Sequence, residues 1–305
     1  MDDMLGRQFA RLRRLAGRAV RRLRGAGSVA VTKPSVGQPA ASQALSVDTV
    51  DFVCNVCGHK NLGVPLVHVQ NREFQSCAAC RSSLRMRSVM YALSMELFGK
   101  ALTLPEFPKD KQLAGLGMSD WEGYAGRLEQ KLGYINTFYH IEPRLDITAP
   151  PSDWAGRQRF LISSDVFEHI PVFCLDQAFA NSRQLLDDQG VFIFTVPYLK
   201  DGQTSEHFPN LHDFRIIETA GKRYLYNKTS SGNEEIFGDL VFHGGDGMTL
   251  EMRMFSEPDL LRHLKEAGFA SVRIYTDQVP EFGIIWPMDW AVPIAARVAA
   301  RVAAA

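Results

Sequence analysis

A short apolar run, Phe160-Leu-Ile162, gives way to three small polar residues, Ser163, Ser164 and Asp165, and then to Val166-Phe-Glu-His-Ile170 and Pro171. The run is long enough for the end of a buried strand. The polar residues stand where that strand would run out, and Val166 to Ile170 can open a helix. In an open parallel sheet, ligands sit outside the carboxyl ends of the strands. Glu168 and His169 would then face a pocket, and an imidazole titrates near neutral pH. The same stretch also reads as a surface loop in which a Ser or Asp caps a helix.

With 305 residues the chain makes one large domain or two modest ones, enough for a sizeable core. The net charge is zero but unevenly spread: residues 1–45 carry eight Arg and one Lys against two Asp, and the remainder is acidic. An acidic body argues against a large nucleic-acid substrate. No apolar run reaches the roughly 18 residues of a membrane span, and the N-terminus lacks a secretory core. A cytoplasmic protein is expected. Its basic residues 4–24 recur at helical spacing and suit peripheral contact with the inner membrane face, a partner, or a solvated arm. Residues 1–48 are thus read as an arm and linker.

Cys54-Asn-Val-Cys57 and Cys77-Ala-Ala-Cys80 are separated by 19 residues. Each Cys-x-x-Cys turn can grip one metal, and the two together supply four ligands of a closed tetrahedral zinc site. A zinc ribbon is expected over 49–83, with 64–74 as its hairpin strands. Its Zn2+ would be structural, because four thiolates leave no open position. Cys174 reads as a core residue.

A helix is expected over 83–100. Gly115 and Gly117 fall in Gln112-Leu-Ala-Gly-Leu-Gly-Met-Ser-Asp120, where glycines just past a strand let the backbone approach a ligand. Trp121–Leu132 reads as a helix and Tyr134–Tyr139 as a strand. Ser256, Pro258 and Gly268 bracket another helix, followed by a strand at Ser271–Tyr275 with Phe282–Trp286 as its hairpin partner. Residues 198–255 form a β-rich insert. Residues 291–305, rich in Ala, are expected to be a helix or tail.

The segment Leu161–Pro171 resembles the stretch after the fourth strand of class I S-adenosylmethionine-dependent methyltransferases of the type-11-like group. Gly190–Tyr198, entered from Leu185-Leu-Asp-Asp-Gln-Gly190, resembles the fifth strand of the same fold. The runs GMSDW, NTFYH and FHGG are similar to those of a bacterial subgroup associated with glycan biosynthesis. The resemblance implies an α/β fold: a Rossmann-like seven-stranded methyltransferase sheet with helices on both faces over 84–290, beside the zinc ribbon.

It also implies cofactor contacts. Gly115, Gly117, Ser119 and Asp120 would lie near the methionine and ribose part of S-adenosylmethionine, with Asn136 where the family commonly has a ribose-binding acid. Asp146 and Ile147 would lie near adenine, and Ser164 and Asp165 would line the floor. His169, His207 or His243 would serve as base. The implied reaction is methyl transfer to an oxygen, expected on a sugar or glycan intermediate. Three other readings stay open. One is an RNA methyltransferase whose ribbon docks RNA through Arg72, Arg81, Arg85 and Arg87. Another is a catalytically degenerate methyltransferase fold serving as a binding module. The third is a metal-dependent hydrolase using the histidine-rich insert, for which no compact ligand motif is present.

Overall fold

The computed structural model describes residues 48–219, 221–243 and 249–299. The basic arm, nearly all of the linker, the glycines after His243 and the chain beyond 299 lie outside the described residues.

Two strands, β1 (Thr49–Val53) and β2 (Lys60–Pro65), pair antiparallel around the first cysteine pair. A single helical turn, α1 (Leu66–Val69), follows. The hairpin expected over 64–74 therefore sits earlier, because the strands flank Cys54 and Cys57 rather than bridging to the second pair. Helix α2 (Leu84–Phe98) ends at Gly99, whose left-handed backbone (φ 65°) closes its last turn.

The α/β body then runs β3 (Asp110–Met118), α3 (Glu122–Lys131), β4 (Leu132–Thr137), β5 (Gln158–Ser164), a 3-10 turn at Phe167–His169, α4 (Val172–Leu185) and β6 (Leu186–Thr195). The insert contributes β7 (Tyr198–Leu199), β8 (Ser205–Glu206), β9 (Asp213–Thr219), β10 (Lys222–Lys228), β11 (Glu234–Phe237), β12 (Phe242–His243), β13 (Thr249–Leu250) and β14 (Arg253–Ser256). Helix α5 (Glu257–Glu266), β15 (Ser271–Ile274) and β16 (Ile294–Arg297) complete the chain.

The main sheet has the order β15-β16-β6-β5-β3-β4. Strands β3 to β6 are parallel, and β16 runs against both β6 and β15. The crossovers β3–β4 and β5–β6 run in opposite directions, so right-handed connections place α3 and α4 on opposite faces. Burial on both faces explains the unbroken apolar runs of β5 and β6. Phe160, Ile162, Phe192 and Phe194 are fully buried; Phe167 packs against the last two, and Phe179 against Phe167 and Phe194. Each such side chain contributes about 1.5–3 kcal/mol. This mixed α/β architecture with a mostly parallel sheet is consistent with the Rossmann-like methyltransferase fold expected. It shows six strands, not seven, among the described residues.

Three further expectations are corrected. Gly115 and Gly117 lie inside β3, not in a loop beyond it. A Cβ on Gly115 would stand 2.3 Å from the Phe160 ring, and one on Gly117 only 1.9 Å from the Tyr134 hydroxyl. Both glycines make room for neighbouring strands. The partner of β15 is β16, whereas Phe282–Trp286 begins in a 3-10 turn and lies outside the sheet. Residues 294–297 are therefore strand, not helix or tail: in β16 the slim Ala295 and Ala296 fit between two neighbours, and burial overrides alanine's helix preference.

The cysteine module and the sheet belong to one compact unit, Thr49–Ala305. Phe52 of β1 packs over Gly283, and the buried Arg87 guanidinium of α2 stacks 4.7 Å from the Phe52 ring. The insert is β-rich, as expected, with its own small core of Phe208, Leu211, Leu225, Leu250 and Met252. Among the described residues no helix is long and apolar enough to cross a membrane.

Candidate active site

Register aligns the strand ends. Met118 of β3 pairs with both Thr137 of β4 and Ser163 of β5, and Ser164 pairs with Thr195 of β6. Ser119–Asp120 and Ser164–Asp165 thus share one edge of the sheet. Connections leave β3 and β5 in opposite directions there, which opens a crevice at the carboxyl ends. Ser119 and Asp165 both adopt left-handed backbone (φ 57° each). Such conformations cost non-glycine residues roughly 1–3 kcal/mol and cluster at ligand sites. They are held by Ser119 N donating to Thr137 O (2.7 Å) and Asp165 N to Thr195 O (2.9 Å).

After β3, Asp120 turns inward. Its carboxylate accepts from the Tyr124 hydroxyl (2.7 Å) and the Tyr134 hydroxyl (2.6 Å). Burial pushes its pKa up to about 7 against the pull of the two tyrosines. Asn136 is a strut: its amide accepts from Asp120 N and donates to Asp120 O, both at 2.9 Å. Ser119 alone of this group is exposed.

After β5, the Asp165 carboxylate is filled. Arg72 donates to it twice, at 2.7 and 2.8 Å, and Thr195 Oγ1 donates at 2.8 Å. Arg85 lies 3.3 Å away and also donates to Ser164 Oγ. Burial works to raise the Asp165 pKa, but the two guanidiniums outweigh it and hold the carboxyl well below its usual range. An RNA-docking ribbon would need Arg72 and Arg85 free to meet phosphate. Both point into the molecule, and Arg87 is fully buried; of the four arginines named for RNA docking, Arg81 is the exposed one.

On the β4 side, Tyr139 and Ile141 are exposed, and the half-buried Asp146 uses Oδ1 to accept from Thr148 N (3.0 Å) and Thr148 Oγ1 (2.7 Å). Ile147 is buried, and its carbonyl accepts from Asn181.

The insert meets the β5 tip at the 3-10 turn. Met252 N donates to Glu168 O (2.9 Å), and His207 N donates to Met252 O (2.8 Å). Glu168 is fully buried, and burial together with the Asp165 and Glu251 carboxylates raises its pKa well above the usual range. His169 is nearly buried, its Nδ1 2.9 Å from Leu250 O. His207 differs: its side chain is 34% exposed, and Nε2 lies 2.9 Å from Glu251 Oε1, a buried carboxylate. Close by, fully buried Arg253 donates to Glu206 (2.6 Å) and to Phe167 O (2.9 Å). His243 closes β12, and its backbone alone is described.

The four cysteine sulfurs of Cys54, Cys57, Cys77 and Cys80 lie within 4.8 Å of one another. Cys54–Cys80 and Cys57–Cys77 are 3.6 and 3.8 Å apart. A tetrahedron with metal–sulfur bonds of about 2.3 Å has edges of about 3.8 Å, so the set could hold one ion. Ser82 Oγ lies 3.1 Å from Cys54 Sγ, and Asn61 reaches Cys77 Sγ at 3.7 Å.

No family model matches the chain, and no curated protein matches it. Solved structures similar to it are S-adenosylmethionine-dependent methyltransferases. A Burkholderia thailandensis 1,6-didemethyltoxoflavin-N1-methyltransferase, solved with S-adenosylhomocysteine, is 15% identical over 68% of this chain and 75% of its own, with TM-score 0.36. A methyltransferase from Clostridium acetobutylicum ATCC 824 is 12% identical over 68% of this chain and 95% of its own, with TM-score 0.35. The sugar N-methyltransferase KedS8 from Streptoalloteichus sp ATCC 53650 is 11% identical over 89% of this chain and 99% of its own, with TM-score 0.38. Similarity this low leaves function to be argued from this chain's own residues.

Proposed function

We propose that the chain is an S-adenosylmethionine-dependent methyltransferase acting on a hydroxyl of a sugar or glycan intermediate, with a structural Zn2+ on Cys54, Cys57, Cys77 and Cys80. The observation that carries the first part is the paired strand ends: two left-handed turns, at Ser119 and Asp165, side by side at the point where the sheet's connections diverge. Exposed Tyr139 and Ile141 offer a purine an apolar face. Asp146 Oδ2 makes no hydrogen bond among the described residues and suits an exocyclic amine. When bound, the donor supplies an electrophilic methyl on a sulfonium. The protein's task is then to align donor and acceptor and to take a proton.

His207 fits the proton-accepting role best. With Nε2–H donating to Glu251, its Nδ1 keeps a lone pair for a hydroxyl. His169 has Nδ1 committed to the Leu250 carbonyl and is nearly buried. Asp165, Asp120 and Asn136 act as supports, because their polar atoms are engaged within the protein.

The zinc assignment gains support from Arg87. This guanidinium is fully buried and, among the described residues, donates to the carbonyls of Ser82 and Gly283 (2.9 and 3.0 Å). A buried cation needs a compensating charge, and the residue whose carbonyl it meets, Ser82, also places its hydroxyl 3.1 Å from Cys54 Sγ, so the guanidinium sits beside the sulfur cluster. Four thiolates on Zn2+ carry net −2, which neutral thiols do not. Calorimetric titration with S-adenosylhomocysteine tests the donor assignment: saturable one-to-one binding is expected, and its absence sinks the reading in favour of a degenerate binding module.

A further inference from the structure

The segment that joins the two cysteine pairs does more than connect them. Asn71 Oδ1 accepts from Glu73 N (3.1 Å) and Phe74 N (3.2 Å), which sets the direction of Arg72 and Glu73. Arg85 N donates to Arg72 O (3.2 Å), so the start of α2 joins the same block. Glu73 holds Arg85 through two hydrogen bonds, at 2.7 and 2.8 Å, and also pairs with Arg72. From this block Arg72 grips both Asp165 oxygens, while its Nε donates to Ala291 O (3.2 Å). Arg85 reaches Ser164. The four charged side chains are only 10–17% exposed and their charges cancel.

Every strong donor and acceptor in this cluster is used within the protein. Asp165 therefore offers little to a ligand. It serves as the anchor through which the cysteine module fixes the left-handed turn after β5. Arg72 and Glu73 lie between the two metal-gripping turns, so their position depends on both turns being held together. Lysine could not replace Arg72, because an ammonium cannot span both oxygens of one carboxylate in this way.

We propose that the four-cysteine knuckle is a wall of the ligand crevice, and that Arg72 and Arg85 are positioning residues that make the crevice depend on the metal. The ligand part of this inference rests on the donor reading given above, whereas the coupling between knuckle and strand tip stands on its own geometry.

The test uses the full chain, loaded with Zn2+ or exchanged against a chelator, and hydrogen–deuterium exchange read by peptide mass. Removing Zn2+ is expected to speed exchange in 163–168 and 289–293 as well as in 54–85, and to weaken S-adenosylhomocysteine binding at least tenfold. Arg72→Gln is expected to keep one zinc per chain by elemental analysis, yet to show the same faster exchange at 163–168 and the same loss of affinity. Arg72→Lys should not rescue either readout. Should Arg72→Gln fail to fold, Asn71→Ala, which removes only the turn that aims Arg72, is expected to give the same signature in milder form. Exchange confined to 49–85 on metal removal, a purified chain that takes up no zinc, or an Arg72→Gln chain with wild-type exchange and affinity would each overturn the proposal. If the zinc-loaded wild type binds no S-adenosylhomocysteine, the donor reading fails, and the exchange pattern alone then decides the coupling.

Discussion

At the scale of single residues, two carboxylates near the sheet edge behave in opposite ways. Asp165, ringed by guanidiniums, stays ionised, whereas Asp120, buried under two tyrosine hydroxyls, keeps its proton up to about pH 7. An unfolded Asp releases its proton near pH 4. The folded state thus holds an extra proton between those values, so this contribution to stability is complete below about pH 4 and is lost as pH rises through 7. The gap between the two values corresponds to at most about 4 kcal/mol. Asp120→Asn keeps the shape without the titration. Urea unfolding from pH 4 to 8 should show the wild type losing stability relative to this variant, and a constant difference would refute the assignment. His207 offers a second test. Long-range 1H–15N spectra should find its neutral ring protonated on Nε2, with that preference lost in Glu251→Ala; an Nδ1–H ring in the wild type would remove it as the base. The sequence made the histidines visible, His169 after β5 and His207 and His243 in the insert. It did not distinguish them, because their partners come from distant segments: Glu251 lies 44 residues from His207, and Leu250 lies 81 from His169.

At the scale of elements, the strands and helices around the crevice were largely legible, because their signals are local. The apolar runs of β5 and β6, the Ser256 cap with Pro258, and Gly268 after α5 all fall where the chain's own pattern places them, whereas α2, expected over 83–100, stops at Phe98 because Gly99 turns left-handed. The cap is functional: Ser256 Oγ accepts from Asp259 N, so Ser256→Ala should cost about 1 kcal/mol. What the pattern could not show was which strand pairs with which. The β16 strand carries alanines that favour helix, and only its slot between β6 and β15 makes it extended. The glycines of β3 were misplaced for a related reason. A Gly-x-Gly looks the same whether it faces a ligand or a Phe160 ring. Two substitutions separate these cases by sign. Gly117→Ala would press on Tyr134 and Asp120 and should destabilise by about 1–3 kcal/mol. Gly126→Ala, within α3, meets only the movable end of Glu122 and should stabilise by up to about 1 kcal/mol. Equal effects at both positions, measured by thermal unfolding, would mean that the close packing along β3 is wrong.

For the molecule as a whole, the cysteine module, the sheet and the insert meet at one edge. The module contributes Arg72, the start of α2 contributes Arg85, the sheet contributes its strand tips, and the insert contributes His207 and Glu251. Read from sequence, the module looked like a separate appendage, because nothing in the spacing of four cysteines shows that Arg72 reaches Asp165, 93 residues away. The strand-tip motif, by contrast, lies in eleven consecutive residues, Leu161–Pro171, and its signal for the end of β5 is local. The decisive measurement is a crystal structure of the zinc-loaded chain with S-adenosylhomocysteine. The account predicts the nucleoside lying across the ends of β3, β4 and β5, its amino-acid end towards Ser119 and its base towards Asp146. Density for the ligand at any other place on the molecule, or none at saturating concentration, would contradict it.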